Sequence, residues 1–294
     1  MENKNFKSGF VVVLGRPNVG KSTLINYLLG EKISIVSPKP QTTRNKITTI
    51  LTDEKGQIIL LDTPGLHKGK KELNKVMMEQ ALSGLGNNDL VVFVTEPVRH
   101  AFEKDSEYFK LLEGFNVVLL INKVDLIKKE ELLPIIEKYN ETGLFREIVP
   151  ISLRKGFNCE KLTDIFLKYL PEGPQYYPED ILSAENERFI VAEIIREKVF
   201  LETREEIPYS AGVVIDYFNE EENIIKIGAN VIVERDSQKS IIIGKKGEML
   251  KKIGTLARKD IERLLGKKVF LSLFVKVVKN WTKDSKKVKE IFYG

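Results

Sequence analysis

The 294-residue sequence predicts an α/β protein, a doubly wound and mostly parallel sheet followed by a smaller α+β domain. Three observations carry this. Short unbroken apolar runs alternate with longer amphipathic stretches through the first half, prolines and glycine interrupt the chain near residue 173, and beyond them the pattern becomes helix, two strands, two helices and a strand.

The apolar runs are Phe10–Leu14, Ile58–Leu61, Leu90–Val94, Val117–Ile121 and Ile148–Ile151. Runs without polar alternation suit strands buried on both faces. The segments between them are long enough for crossover helices, the first at Thr23–Leu29. That alternation gives a parallel sheet with helices on both sides. Lys46–Asp53, rich in Ile and Thr, reads as one more strand; a turn at Glu54-Lys55-Gly56 leads it into the next run and makes it an antiparallel edge.

Pro171, Gly173, Pro174 and Pro178 fall within eight positions, a density that stops helices and favours an extended connector. The chain is therefore divided into a first domain at 1–173, a linker at 174–183 and a second domain at 184–294. In the second, helices are expected at Asn186–Phe200, Ser240–Ile253 and Thr255–Leu265, and strands at Ala211–Asn219, Ile224–Arg235 and Val269–Val278.

Apolar residues at 42% and charged residues at 30% fit an ordered globular chain. No run of 18 apolar residues is present, and the opening Met1-Glu2-Asn3-Lys4 lacks a signal peptide's apolar core, so the protein is expected to stay inside the cell. One cysteine, Cys159, excludes an internal disulfide framework; it is expected to pack in the last helix of the first domain. Two histidines, His67 and His100, argue against a histidine metal cage. The net charge of +5 is unevenly spread: residues 237–294 hold 16 Lys and Arg against five Asp and Glu, a net of +11, leaving −6 for residues 1–236. A basic end on an acidic body suits a polyanion partner, and equally a solvated lysine-rich surface.

Gly15-Arg16-Pro17-Asn18-Val19-Gly20-Lys21-Ser22 follows the first strand and opens a helix at Thr23. It matches the G-x-x-x-x-G-K-[ST] phosphate loop in the context that pattern requires. The glycines let backbone N–H groups turn inward around phosphate oxygens, Lys21 can reach the β- and γ-phosphates, and the Ser22 hydroxyl can ligate Mg²⁺. Asp62-Thr63-Pro64-Gly65 ends the next parallel strand, where Asp62 can hold magnesium through water and the Gly65 N–H can bond the γ-phosphate. Asn122-Lys123-Val124-Asp125 ends a later strand; its Asp125 carboxylate accepts from N1–H and the 2-amino group of guanine, donors that adenine lacks. Ser152-Leu153, after the last strand, stands where a backbone N–H could bond guanine O6. These four elements, each at a strand end, specify GTP. The polar, proline-broken loop Ser37–Arg44 is expected to be mobile and to bring a threonine to magnesium; spacing alone does not separate Thr42 from Thr43.

At these residues the sequence resembles the Era family of bacterial GTPases over essentially its whole length: GRPNVGKSTL, PQTTR, DTPGLH, NKVD and IIIGKKGEMLKKIGTLARKDIE. The resemblance implies a Ras-like, P-loop GTPase domain converting GTP to GDP and phosphate. Related GTPases place the magnesium-sensing threonine immediately before the arginine, which selects Thr43. Lys21, Thr43 and Gly65 are then the residues expected to act at the reacting phosphate. Small GTPases usually carry Ser-Ala where this chain has Ser152-Leu153, and Ras-like proteins carry glutamine where it has Leu66, which cannot align water. Asn18 matches the position of an ion ligand in potassium-dependent relatives; its other reading is a turn residue after Pro17.

Ile243-Gly244-Lys245-Lys246-Gly247 places a G-x-x-G loop between an apolar run and an amphipathic helix. Alone it could be a helix-entry turn. The αββααβ order, the net charge of +11 and the basic helix that follows make it the signature of a type II KH domain, which clamps about four unpaired nucleotides. Lys245, Lys246 and Lys251 would meet phosphates, and Ile243 would support a base. The resemblance further implies that the RNA is the 3′ end of 16S rRNA in 30S subunit assembly, and that the protein is a cytoplasmic monomer associating peripherally with the inner membrane. Trp281, Phe292 and Tyr293 are expected to pack on the sheet, and His67 to lie at the surface. A degenerate RNA-binding module is disfavoured by the intact Lys21, Ser22, Thr43 and Asp62. A tRNA-modification GTPase is disfavoured by the lack of a C-terminal cysteine and of a helical domain around the GTPase.

Overall fold

Two sheets organise the chain, one in each of two compact units. The computed structural model describes residues 6–31, 33–35, 43–66, 72–86 and 88–293. The first unit contains β1 (Lys7–Leu14), α1 (Lys21–Leu29), β2 (Ile47–Thr52), β3 (Gly56–Asp62), β4 (Leu90–Thr95), α3 (Ala101–Ser106), β5 (Val117–Ile121), α4 (Lys129–Asn140), β6 (Glu147–Pro150) and α5 (Leu162–Tyr169). A further helix, α2 (Glu72–Ser83), lies between β3 and β4 in sequence. The strands lie in the order β2-β3-β1-β4-β5-β6, all parallel except β2, the antiparallel edge.

Strand alternation sends successive residues of β1 to opposite faces. Val11 and Val13 join Leu24, Ile25 and Phe166 in one core, while Val12 and Leu14 join Tyr108, Leu112 and Tyr139 in the other. Both faces are therefore covered, as the unbroken apolar runs require. Because β1 pairs with both β3 and β4, its carboxyl end opens at the point where the strand order reverses, where open α/β sheets bind ligands.

Residues 174–183, read from sequence as a connector, run along the β2–β3 edge. Gln57 is fully buried, so its carboxamide must be paired. Its Oε1 accepts from the Tyr176 and Tyr177 amides at 2.8 and 2.9 Å, and its Nε2 donates to the Tyr177 carbonyl at 2.8 Å. The Ile50 amide donates to Leu182 at 2.9 Å, and Ala184 donates to Thr48 at 3.1 Å. The first unit accordingly continues through Ala184 and the second takes up the chain at Glu185. Cys159 is buried in the core but precedes α5 instead of lying in it.

The second unit contains α6 (Glu187–Glu202), α7 (Ile207–Ser210), β7 (Gly212–Glu220), β8 (Ile224–Val233), α8 (Asp236–Ile243), α9 (Glu248–Leu265), β9 (Lys268–Val277) and α10 (Ser285–Tyr293). Asn186 caps α6 by accepting from the Phe189 amide at 2.7 Å. The sheet runs β7-β8-β9, with β7 antiparallel and β9 parallel to β8. The expected helix break at residue 254 is a correction. Gly254 lies inside α9, and the chain instead breaks at Gly244 (φ 73°, ψ 178°) and Gly247 (φ 81°), conformations that glycine alone adopts readily. Helices α7 and α10 have no counterpart among the elements expected from sequence. Trp281 is fully buried and donates from Nε1 to the Ser210 carbonyl at 3.1 Å, so it is a core residue. The side chains of Phe292 and Tyr293 lie outside those described.

Candidate functional site

The phosphate loop leaves β1 at Gly15, whose φ of 144° and tight surroundings exclude a side chain: a Cβ there would lie 2.2 Å from the Val94 carbonyl oxygen. Asn18 has φ 65°, a left-handed turn conformation that asparagine tolerates. A Cβ on Gly20 would meet Asn122 Nδ2 at 2.3 Å, so the loop and the segment after β5 touch through bare backbone. Asn122 fastens them, donating to the Val19 carbonyl at 2.8 Å and accepting from the Leu153 amide at 3.2 Å. Lys123 adds a second tie, with Nζ donating to the Asn18 carbonyl at 2.6 Å and to Glu96 at 2.5 Å.

Inside the loop, Lys21 Nζ donates to the carbonyls of Gly15 and Arg16, both at 3.0 Å. Burial lowers its pKa to about 8 against the opposing pull of Asp62. One helical position on, and preceding Thr23, the Ser22 hydroxyl lies 2.7 Å from Thr43 Oγ1 and donates to Asp62 Oδ2 at 2.8 Å. Asp62 is fully buried, burial raises its pKa, and its Oδ1 has no hydrogen-bond partner. A buried carboxylate oxygen left without a donor beside two hydroxyls suits a hard divalent cation, and the adjoining ammonium suits phosphate. Among the described residues no group of three His, Cys, Asp or Glu gathers. Thr43 is 7% exposed and already at the cluster; Thr42, Gln41 and His67 lie outside the described residues.

Thr63 donates to the Val13 carbonyl at 2.6 Å, which fixes the turn through Pro64 to Gly65. A Cβ on Gly65 would lie 2.8 Å from Pro17, so this turn presses on the phosphate loop. Leu66 donates its amide to Gly15 at 3.0 Å and buries its side chain in the core. At the base end, the Ser152 hydroxyl donates to Asp125 Oδ1 at 2.6 Å. The backbone N–H groups expected to meet guanine O6 both have partners here: Ser152 donates to Phe157 at 3.1 Å and Leu153 to Asn122.

The sequence reading missed the support behind this loop. Asp105 is fully buried and accepts from Arg16 Nε at 2.6 Å, Tyr139 Oη at 2.6 Å and Thr95 Oγ1 at 2.5 Å. Arg16 thereby ties the loop to α3 and α4. No local pattern signals a pair 89 positions apart.

In the second unit, Gly244 and Gly247 bracket a single turn whose Lys246 has φ 51°. Lys245 and Lys246 are exposed, and Ile243 is half-buried against the core. A Cβ on Gly244 would meet the Met249 amide nitrogen at 2.9 Å. From this turn a groove of about 530 Å³ runs between α9 and β9, lined by Gly247, Lys251, Thr255 and Arg258 on one side and by Phe270 and Leu273 on the other. Lys251, Thr255 and Arg258 recur at helical spacing, a signal the sequence offered for the residues it had not singled out.

Residues 10–123 match a family model described as 50S ribosome-binding GTPase, and residues 206–282 match a KH domain model. The chain is 52% identical to GTPase Era of Geobacter metallireducens over 297 residues, and 50% identical to GTPase Era of Geobacter sp. strain M21 over 296 residues, each covering all of both chains. A crystal structure of Era in complex with MgGDPNP and nucleotides 1506–1542 of 16S ribosomal RNA superposes with TM-score 0.93 at 40% identity, covering 98% of this chain and 99% of that one. A point variant of Aquifex aeolicus Era bound to GDP.AlF4⁻ superposes with TM-score 0.92 at 40% identity, covering 98% and 100%. Among the described residues no helix is long and apolar enough to cross a membrane.

Proposed function

Since the chain belongs to the Era family of GTPases, we propose that it couples GTP hydrolysis with magnesium to the clamping of unpaired RNA at the 3′ end of 16S rRNA, in the cytoplasm, during small-subunit assembly. The observation that carries this is the oxygen set of half-buried Ser22 with buried Thr43 and Asp62, beside Lys21.

Ser22, Thr43 and Asp62 would hold Mg²⁺, which when bound neutralises charge on the β- and γ-phosphates. Lys21 exchanges its two loop carbonyls for phosphate oxygens, whose negative charge favours its ammonium form. The amides of the Asn18–Thr23 segment and the amino end of α1 wrap the phosphates. Gly65 presents its N–H to the γ-phosphate, held there by Thr63 and Pro64. Asp125 reads guanine, oriented by Ser152, while Asn122 and Lys123 hold the base pocket against the loop.

Leu66 faces the core, so no side chain at that position aligns the attacking water. A monovalent cation at the Asn18 segment, K⁺ by the resemblance noted above, is the charge we propose in its place. At the KH domain, Gly244 and Gly247 let the sugar–phosphate backbone approach bare peptide, with Ile243, Lys245, Lys246 and Lys251 around it.

The test is phosphate release from GTP in magnesium and potassium, with and without an unpaired oligonucleotide matching the 16S 3′ end. Release that depends on magnesium, together with saturable binding of that RNA, is expected. A protein that binds GTP without releasing phosphate is a degenerate switch.

A further inference from the structure

Asp105, fully buried near the end of α3, joins the two halves of the nucleotide site from behind. On one side it accepts from Nε of Arg16, the second residue of the phosphate loop. The Arg16 carbonyl accepts in turn from Lys21 Nζ, so the peptide that parks the phosphate-binding lysine belongs to the residue that Asp105 holds. On the other side Asp105 accepts from Thr95 Oγ1, at the end of β4. The Thr95 carbonyl accepts from the Asn122 amide at 2.8 Å, and Asn122 opens the segment that ends in Asp125. Tyr139 Oη of α4 supplies a third donor, and burial raises the pKa of this phenol, which keeps it protonated.

Arg16 depends on this carboxylate. Its side chain is 13% exposed, and its Nη2 is buried without a hydrogen-bond partner among the described residues. A guanidinium drawn this far from water is costly unless a charge compensates it, and removing one member of such a pair strands the other. Asn122 and Lys123 tie the later part of the phosphate loop through the Val19 and Asn18 carbonyls. Of Gly15, Arg16 and Pro17, only Arg16 has a polar side chain with which to tie the earlier part.

We propose that Asp105 is a positioning residue for nucleotide binding: through Arg16 it holds the phosphate loop in its binding shape, in register with the Asn122–Asp125 segment, before GTP or GDP arrives. This rests on the GTP reading above and deepens it. A preformed loop spares the nucleotide the cost of ordering it, so the gain lies in affinity and is shared by GTP and GDP. Once nucleotide fills the site, its phosphates hold the loop, and the hydrolytic step does not draw on Asp105. An interaction of that kind appears in KM and leaves kcat.

The test measures GDP affinity, and single-turnover hydrolysis against GTP concentration, on full-length protein below its melting transition. Loss of a charge-assisted bond should weaken GDP and GTP alike by about tenfold or more in Asp105→Asn and in Arg16→Met, with hydrolysis at saturating GTP near the native rate. The double variant should bind no more weakly than either single one, because both remove the same interaction. Arg16→Gln keeps a neutral donor for Asp105 and should recover part of what Arg16→Met loses. Tyr139→Phe takes a donor from the same carboxylate without touching Arg16; it should lower the melting temperature and leave GDP affinity native, which separates positioning from stability. Arg16 lies at the edge of the cluster, so its two variants decide the matter even if Asp105→Asn does not fold.

Native GDP affinity in folded Asp105→Asn or Arg16→Met overturns the proposal. So does a loss confined to the rate at saturating GTP, which would give the pair a part in the reaction. Equal losses in Arg16→Gln and Arg16→Met overturn it as well, in favour of a charge acting on the phosphates. Native protein that binds no guanine nucleotide fails the GTP reading itself, and this role with it.

Discussion

The Ser152 hydroxyl donates to Asp125 Oδ1 at 2.6 Å, so the loop after β6 fixes the carboxylate proposed to read guanine. Asp125→Asn replaces an acceptor with an amide, which suits the extra carbonyl of xanthine and repels the amino group of guanine. GTP affinity should fall and xanthosine triphosphate should become the better ligand, by a margin that can reach roughly 10⁴-fold at a site built on such a bond. Competition binding of the two triphosphates measures it; a variant that still prefers GTP would place guanine recognition elsewhere.

Thr43 stands 2.7 Å from Ser22, within the same oxygen set as Asp62. If its hydroxyl serves the metal in the triphosphate state, Thr43→Ala should leave GDP affinity nearly intact and lower single-turnover hydrolysis on the order of a hundredfold. Chelating magnesium should abolish hydrolysis in both proteins. An unchanged rate in the variant excludes Thr43 from the reaction.

Leu66 is 1% exposed, in the core beneath the phosphate loop. Leu66→Ala opens a cavity and should cost about 2–5 kcal/mol of stability. Turnover per folded molecule, measured below the melting transition with saturating GTP, should survive, because no polar catalyst is removed. Loss of turnover without loss of stability would give Leu66 a chemical role.

Much of this was legible because the relevant signals are local. The phosphate loop, the Asp62 and Asn122 turns and the G-x-x-G turn each need particular backbone conformations or side chains within a few residues, and the buried parallel strands leave unbroken apolar runs. What escaped reading depends on distant pairing or on context. Arg16 and Asp105 meet across 89 positions, and Gln57 secures Tyr177 across 120. Gly254 looks like a helix break, yet it lies within the unbroken α9, packed near Leu273. Phe270 and Phe274 look like core residues of a strand; only the register shows that they face out.

Asn18 carries two readings that one substitution separates. Its φ of 65° is a conformation glycine adopts without strain, so Asn18→Gly keeps the turn and removes only the carboxamide. If that group ligates a monovalent ion, native hydrolysis should be faster in potassium than in sodium, and the variant should lose the difference. Native rates that are equal in the two salts would leave Asn18 as a turn residue.

The turn between Gly244 and Gly247 exposes Lys245 and Lys246 to solvent, with Lys246 held in a left-handed conformation. A clamp that works by bringing phosphates onto bare backbone should be defeated by carboxylates at these two positions, and exposed side chains can be exchanged without unfolding the domain. Lys245→Asp combined with Lys246→Asp should remove most affinity for unpaired RNA while GTP binding and basal hydrolysis persist. Aspartate tolerates the left-handed region better than most residues, so the turn itself should survive. Residual binding should fall less steeply with salt, since each lost phosphate contact removes roughly 0.7 from the log–log slope for single strands. Duplex RNA should bind the native protein poorly, because the clamp needs unpaired bases. Filter-binding titrations of both proteins at two salt concentrations decide the matter: a double variant with native affinity and an unchanged slope would mean that RNA does not use this turn.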